Sequence, residues 1–427
     1  MRSRQPSSVV ACALVALATF STTAPAVPAR ASEAPTLRAV ARVGEPAPGG
    51  GTFDRFGQEN LPVVAPVNAR GEVAFFARLS RGTADEGIFL RRGNRILTVA
   101  REGDRVPGVG RLSGFGKHPT PALSDGGVVA FAAAVAGGKA VEGIFAWSAG
   151  RLRPVALTGS PAPGMPSSVL AALDSPAVNP RGDIVFLATV RRGRESADAI
   201  LVSARGVLRK IVAQGDPAPA GGLFAGFGPP VINARGAVAF AAVVEGKAVP
   251  GGVFVASGER IQMVVGAGDD TPIGGIFAKF SERVGLNDDG VVAFHGMLKF
   301  APVAAAIFAV EDGRARAVSR LGDPAPGGGT IEHFGLWPTV GPLGAIAFAA
   351  SIEGGSSPMA ILIADGGGLR QVVAVGDALP GGDRITTLTL YPVVSVSPHG
   401  HVTFAVAPTA TGEGPEGLFA AAPAGPR

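Results

Sequence analysis

Short apolar runs recur along the chain, separated by clusters of Gly, Pro, Asn and Asp, and no run continues with the 3.6-residue period of a helix. Val128-Val129-Ala130-Phe131-Ala132-Ala133 is representative. It is apolar on both faces instead of alternating, which predicts a strand covered on both sides by neighbouring sheets. Runs of the Gly-Ile-Phe kind follow, at Gly87-Ile88-Phe89, Gly143-Ile144-Phe145, Ala199-Ile200-Leu201, Gly252-Val253-Phe254, Ala306-Ile307-Phe308, Ala360-Ile361-Leu362 and Gly417-Leu418-Phe419. Each has four short strand-like runs in its neighbourhood, bounded by turn residues.

The pattern is a tandem repeat of roughly 55 residues. A Gly-acid-Pro cluster marks each start, near Gly44, Gly103, Gly159, Gly215, Gly268, Gly322 and Gly376. The acid is Glu45, Asp104, Asp216, Asp269, Asp323 or Asp377, with Ser160 in the third unit. Then comes a Pro-rich stretch, an Asn-x-x-Gly turn and the Val-Ala-Phe run. Asn68, Asn179, Asn233 and Asn287 open the turn in four units; Ser124, Gly341 and Ser397 replace them in the rest. Four strands per repeat is the signature of a propeller blade, so the expected fold is all-β: one seven-bladed β-propeller of four-stranded blades over residues 32–427.

Phase supports closure of the ring. The chain opens on a lone fourth-strand run, residues 37–43, and ends after a third strand, residues 417–422. Pairing these two halves completes the last blade and leaves no free sheet edge. The repeat resembles bacterial tandem-repeat proteins of the NxxGxxAF, or choice-of-anchor, type over residues 37–422. That resemblance implies surface or extracellular placement and no known activity. The C-terminal sorting signal frequent in such proteins has no counterpart in Ala421-Ala422-Pro423-Ala424-Gly425-Pro426-Arg427.

Residues 1–31 read as a secretory signal peptide: Arg2 and Arg4, an apolar run from Val9 to Phe20, and small residues ending at Ala29-Arg30-Ala31. The run is too short to span a bilayer, so the expected product is secreted, extracellular or periplasmic, with no membrane span after processing. Cys12, the single cysteine, leaves with the signal, and the mature chain has no disulfide or thiolate. Loss of Arg2, Arg4 and Arg30 leaves 35 basic against 33 acidic residues, from 38 and 33 in the whole chain. That balance argues against nucleic acid, which needs a concentrated basic face. With 63 Gly and 36 Pro among 427 residues but 47% apolar content, turns are frequent and a core is still affordable in surface terms, which excludes a disordered chain.

Residues that return in every unit are read as fold elements: the acids as turn caps, the Asn-x-x-Gly segments as hairpins. Arg181-Gly182-Asp183 spells an adhesion tripeptide, but the same turn reads Arg70-Gly71-Glu72 and Arg235-Gly236-Ala237 elsewhere. His399 and His401 are two ligands at most and do not make a metal site. No metal or cofactor is expected, since zinc-protease, nucleophile-elbow and phosphate-loop motifs are missing. Most of the 23 Phe fall in repeated core positions, and Trp147, Trp337 and Tyr391 are the other aromatics.

Candidate ligand-binding residues are those that break the repeat near the entry of the innermost strand: Asp54, Arg55, Glu59, Lys117, His118, Asp174, Lys279, Glu282, Arg283, His333, Trp337 and Tyr391. They mix acids, bases and aromatic groups, as pocket sites do. The expectation is a monomeric, non-catalytic binding or scaffold propeller for an extracellular polar ligand, glycan or protein. The alternative is a secreted hydrolase or lyase with a carboxylate/His site at the channel mouth. Clustering of charged groups at one mouth discriminates between a scattered surface and a site.

Overall fold

The computed structural model describes residues 35–422 except 59–60, 247–248, 390–392, 410–411 and 413; the signal-peptide segment lies outside the described residues. Seven antiparallel sheets form a seven-bladed propeller of four-stranded blades. Blade 1 shows the plan, with strands Thr52–Phe56, Val73–Ser80, Glu86–Arg92 and Arg95–Arg101 in spatial order. Here they are called first to fourth. In blades 2, 4, 5, 6 and 7 a two-residue strand, such as Ala122–Leu123 or Val231–Ile232, also pairs with the second strand.

The second and third strands are buried over most of their length because they lie between neighbouring sheets. Val129–Ala136 and Ala305–Glu311 expose only their last residues. Phe residues on the first three strands meet inside blades 1, 4 and 5, as in Phe224, Phe240 and Phe254, whose centroids lie 5.0 to 6.2 Å apart. Each buried Phe contributes roughly 1.5–3 kcal/mol. A register shift recurs between the third and fourth strands at Ile88/Phe89, Ile144/Phe145, Val253/Phe254 and Ile307/Phe308, the bulge that steepens blade twist.

The ring closes as the phase of the repeat requires. Leu37–Arg42 pairs antiparallel with Gly417–Ala421, so the first strand of the chain is the fourth strand of blade 7. The joint is reinforced where blades 7 and 1 meet: His399 Nδ1 lies 2.7 Å from the Ala69 carbonyl, and the Arg38 guanidinium donates to the Gly71 carbonyl.

The repeated polar residues cap turns. All six acids of the Gly-acid-Pro clusters accept the backbone N–H three residues earlier, from Arg42 to Glu45 at 3.1 Å and from Gly266 to Asp269 at 2.7 Å, for example. Each turn Asn does two jobs. Asn179 Oδ1 accepts the N–H groups of Arg181 and Asp183, both at 3.0 Å, while Nδ2 donates 3.0 Å to the Asn233 carbonyl of the next blade. Gly182 supplies the positive φ of 81°. Asp183 is buried and ion-paired to Arg181 at 3.1 Å, so the Arg-Gly-Asp segment is folded on itself. In blade 6, where Gly341 replaces Asn, a 3₁₀ turn at Pro342–Gly344 stands in. No helix among the described residues is long and apolar enough to cross a membrane.

Candidate functional site

The register places the Gly-acid-Pro loops and the second-to-third strand loops on one face of the ring, and the Asn-x-x-Gly hairpins on the other. Thr52, which follows the cluster, pairs with Ser80, whereas Val67 beside Asn68 pairs with Val73. From the first face a cavity of about 880 Å³ runs into the channel, lined by residues of blades 1 to 6. Its lining includes Gly226–Phe227 and Ala278–Phe280 of first strands, which are therefore innermost.

Six of the candidates from the sequence line this cavity: His118, Asp174, Lys279, Glu282, Arg283 and Trp337. Asp54, Arg55, Lys117 and His333 are exposed outside it; His333 Nδ1 lies 3.2 Å from Ser351 Oγ. Asp54 and Arg55 act instead on Glu416, at the joint of blades 7 and 1. The position relative to the innermost strand thus selects the residue only when its side chain turns to the channel, and in the bend after Gly110–Gly114 His118 does so while Lys117 does not. Glu59 and Tyr391 lie outside the described residues.

The polar groups converge from four blades. His118 Nδ1 lies 2.7 Å from Asp174 Oδ2, a contact between blades 2 and 3. Ser175, with φ of 50°, donates its N–H to Asp174 Oδ1 at 2.6 Å, so both carboxylate oxygens are held. Arg283 enters from blade 5. Its backbone is pinned because the Ser281 hydroxyl donates to the Arg283 carbonyl at 2.8 Å and the Ser281 N–H donates to the His295 carbonyl at 2.8 Å. A Cβ at Gly228 would stand 1.9 Å from the Glu282 carbonyl oxygen, so only glycine lets blade 4 pass this segment. The Arg283 guanidinium lies over the Trp337 ring, 5.5 Å from its centroid. Its Nε is buried with no hydrogen-bond partner, and it forms no ion pair with any described residue. Burial pushes its pKa down, and the Asp174 charge opposes that.

Leu61, Pro62, Val64, Leu187, Phe227, Phe280 and Leu336 supply apolar walls, with Asp198, Thr120 and Ser175 as further polar lining. Sequence reasoning missed Asp198, although a signal existed. The residue before each Gly-Ile-Phe run is Glu86, Glu142, Asp198, Gly251, Ala305, Met359 and Glu416 in chain order. The glutamates reach into the next blade: Glu86 Oε1 accepts the Phe115 N–H at 2.8 Å, Glu142 Oε2 the Leu173 N–H at 2.9 Å, and Glu416 the Phe56 N–H. Burial raises the pKa of all three. Asp198 is one methylene shorter and accepts the Thr189 hydroxyl at 2.9 Å within its own blade. In blade 4 the tie is absent, and Gly251 and Gly252 line the cavity there.

Among the described residues, no group of three His, Cys, Asp or Glu side chains is placed to hold a metal ion. A family model described as "Family of unknown function (DUF7453)" matches residues 17–251 and again 250–426. The chain belongs to DUF7453. The match does not confirm the NxxGxxAF resemblance. No curated protein matches this DUF7453 chain. Among solved structures it is similar to an oligogalacturonate lyase in complex with manganese, at 13% identity and a TM-score of 0.50 over 91% of this chain and 98% of that one. It is also similar to polysaccharide lyase Uly1, at 11% identity and a TM-score of 0.48 over 91% and 99%. A gluconolactonase from Xanthomonas campestris matches at 14% identity and a TM-score of 0.33 over 73% and 88%. At these identities the likeness is one of fold.

Proposed function

We propose that this DUF7453 protein is an exported, monomeric binding propeller that takes a small ligand into the cavity of its channel mouth. The carrying observation is the convergence of His118, Asp174, Arg283 and Trp337, from four separate blades, on one cavity with otherwise mainly apolar walls. A cavity of about 880 Å³ is within the usual range of ligand sites, which combine apolar surface with a few placed polar groups. Thermal shift and native mass spectrometry against a panel of sugars and small organic acids test this reading. The expected result is a ligand that raises the melting temperature of the wild type, fails to do so in Trp337→Ala, and is recovered chemically unchanged. If no panel member binds more weakly to the variant than to the wild type, the cavity is not the site.

A second reading, hydrolase or lyase, draws on the His118–Asp174 contact, since a carboxylate that holds one imidazole nitrogen leaves the other free for proton transfer. Mass spectrometry of the recovered ligand separates the two: conversion that His118→Ala abolishes favours catalysis. Export rests on the order of residues 1–31, and the secreted form should begin near Ala31 when its mass is measured.

A further inference from the structure

We infer that the ligand of the channel cavity is an organic carboxylate with an apolar body, its carboxylate received by Arg283. This rests on the cavity being a ligand site. Two of the three acids in the lining are engaged elsewhere: Asp174 holds His118 at 2.7 Å and the Ser175 N–H at 2.6 Å, and Asp198 accepts the Thr189 hydroxyl at 2.9 Å; neither they nor Glu282 forms an ion pair with Arg283, on which Asp174 acts only through its charge. Arg283 has the Trp337 ring beneath it and an enclosed Nε that bonds nothing.

A buried donor without an acceptor is costly, and a guanidinium more so, because its planar fork is built to meet two oxygens at once. Such a group persists where an incoming anion completes it. A neutral sugar offers only hydroxyl oxygens and needs many polar contacts. This lining is instead mostly carbon, with Leu187, Phe227, Phe280, Leu336 and Trp337 around the polar cluster. The carboxylate therefore pairs with Arg283 while the rest of the molecule lies against these side chains. Phosphate esters of the same size are disfavoured because Asp174 and Glu282 stand nearby and repel a second negative charge.

The probes are 2-naphthoate and octanoate, each beside its neutral amide. Trp147 and Trp337 are the only tryptophans, so a Trp147→Phe chain reports from Trp337 alone by fluorescence; calorimetry on the unaltered chain repeats the measurement. At least one acid should bind ten times or more tighter than its amide. Arg283→Gln should erase that preference, and Arg283→Lys should restore part of it, as loss of a charge-assisted pair is worth about one to two decades. Equal binding of acid and amide, or a preference that survives Arg283→Gln, overturns the inference and leaves the cavity a ligand site. Failure of all four probes also overturns it, and the sugar and acid panel then decides separately whether the cavity binds anything.

Discussion

A single Asn side chain in this fold caps its own turn and bonds the next blade, so a local and a tertiary requirement meet in one residue. Asn68, Asn233 and Asn287 donate to the carbonyls of Ser124, Asn287 and Gly341 at 3.2, 3.0 and 3.5 Å, as Asn179 does to that of Asn233. Asn179 is fully buried, and alanine there would orphan the Arg181 and Asp183 N–H groups and remove the inter-blade bond to the Asn233 carbonyl, which would keep only the Gly236 N–H. The Asn179→Ala protein should lose about 1–3 kcal/mol in urea unfolding. Asn179→Asp keeps the turn cap but sets a second carboxylate where Nδ2 donates to Asp183 Oδ2 at 3.1 Å and to the Asn233 carbonyl, so at pH 7 it should be no more stable than the alanine variant.

Between neighbouring blades the glutamate before the Gly-Ile-Phe run is the corresponding tie. Glu142 shows how burial and hydrogen bonding compete, since burial raises its carboxyl pKa more than the Leu173 N–H lowers it. A folded pKa above the unfolded one means that the folded state takes up the proton first. Ionised Glu142 is therefore a liability near neutral pH, and the folded state gains relative stability as pH falls through the folded pKa towards the ordinary carboxylate value. Glu142→Gln keeps an acceptor for Leu173 and should be at least as stable as the wild type at pH 7, with its advantage shrinking as the pH approaches 4.5. Glu142→Ala leaves the N–H unmet and should lose about 1–2 kcal/mol at pH 7. Denaturant midpoints of the three proteins between pH 4.5 and 7 check both signs.

For the molecule as a whole, closure is expected to carry much of the stability. Residues 37–42 cover the exposed edge of Gly417–Ala421, all five residues of which are buried. A chain beginning at residue 45 leaves that edge and the apolar face around Phe419 open to solvent or to another molecule. It should melt at lower temperature and associate, as light scattering and calorimetry would show; a monomer that melts like the parent would rule out closure as the stabilising device. Removal of residues 424–427 should change little.

Much of this was readable along the chain because a repeat multiplies each local signal seven times. Gly44, Gly103 and their successors mark the blades, the Val-Ala-Phe and Gly-Ile-Phe runs mark buried strands, and the split repeat places residues 37–42 against 417–421. Strand period and turn chemistry act over a few residues, so sequence by itself determined blade number, strand order and closure. The cavity obeys no such local rule. His118 and Asp174 stand 56 positions apart, and whether Arg283 faces the channel depends on glycine at position 228 in another blade. Lys117 and His118 are adjacent in sequence, yet only His118 lines the cavity. Which irregular residues share one space was decided by the tertiary structure, because the ring brings together the inner edges of blades that never meet along the chain.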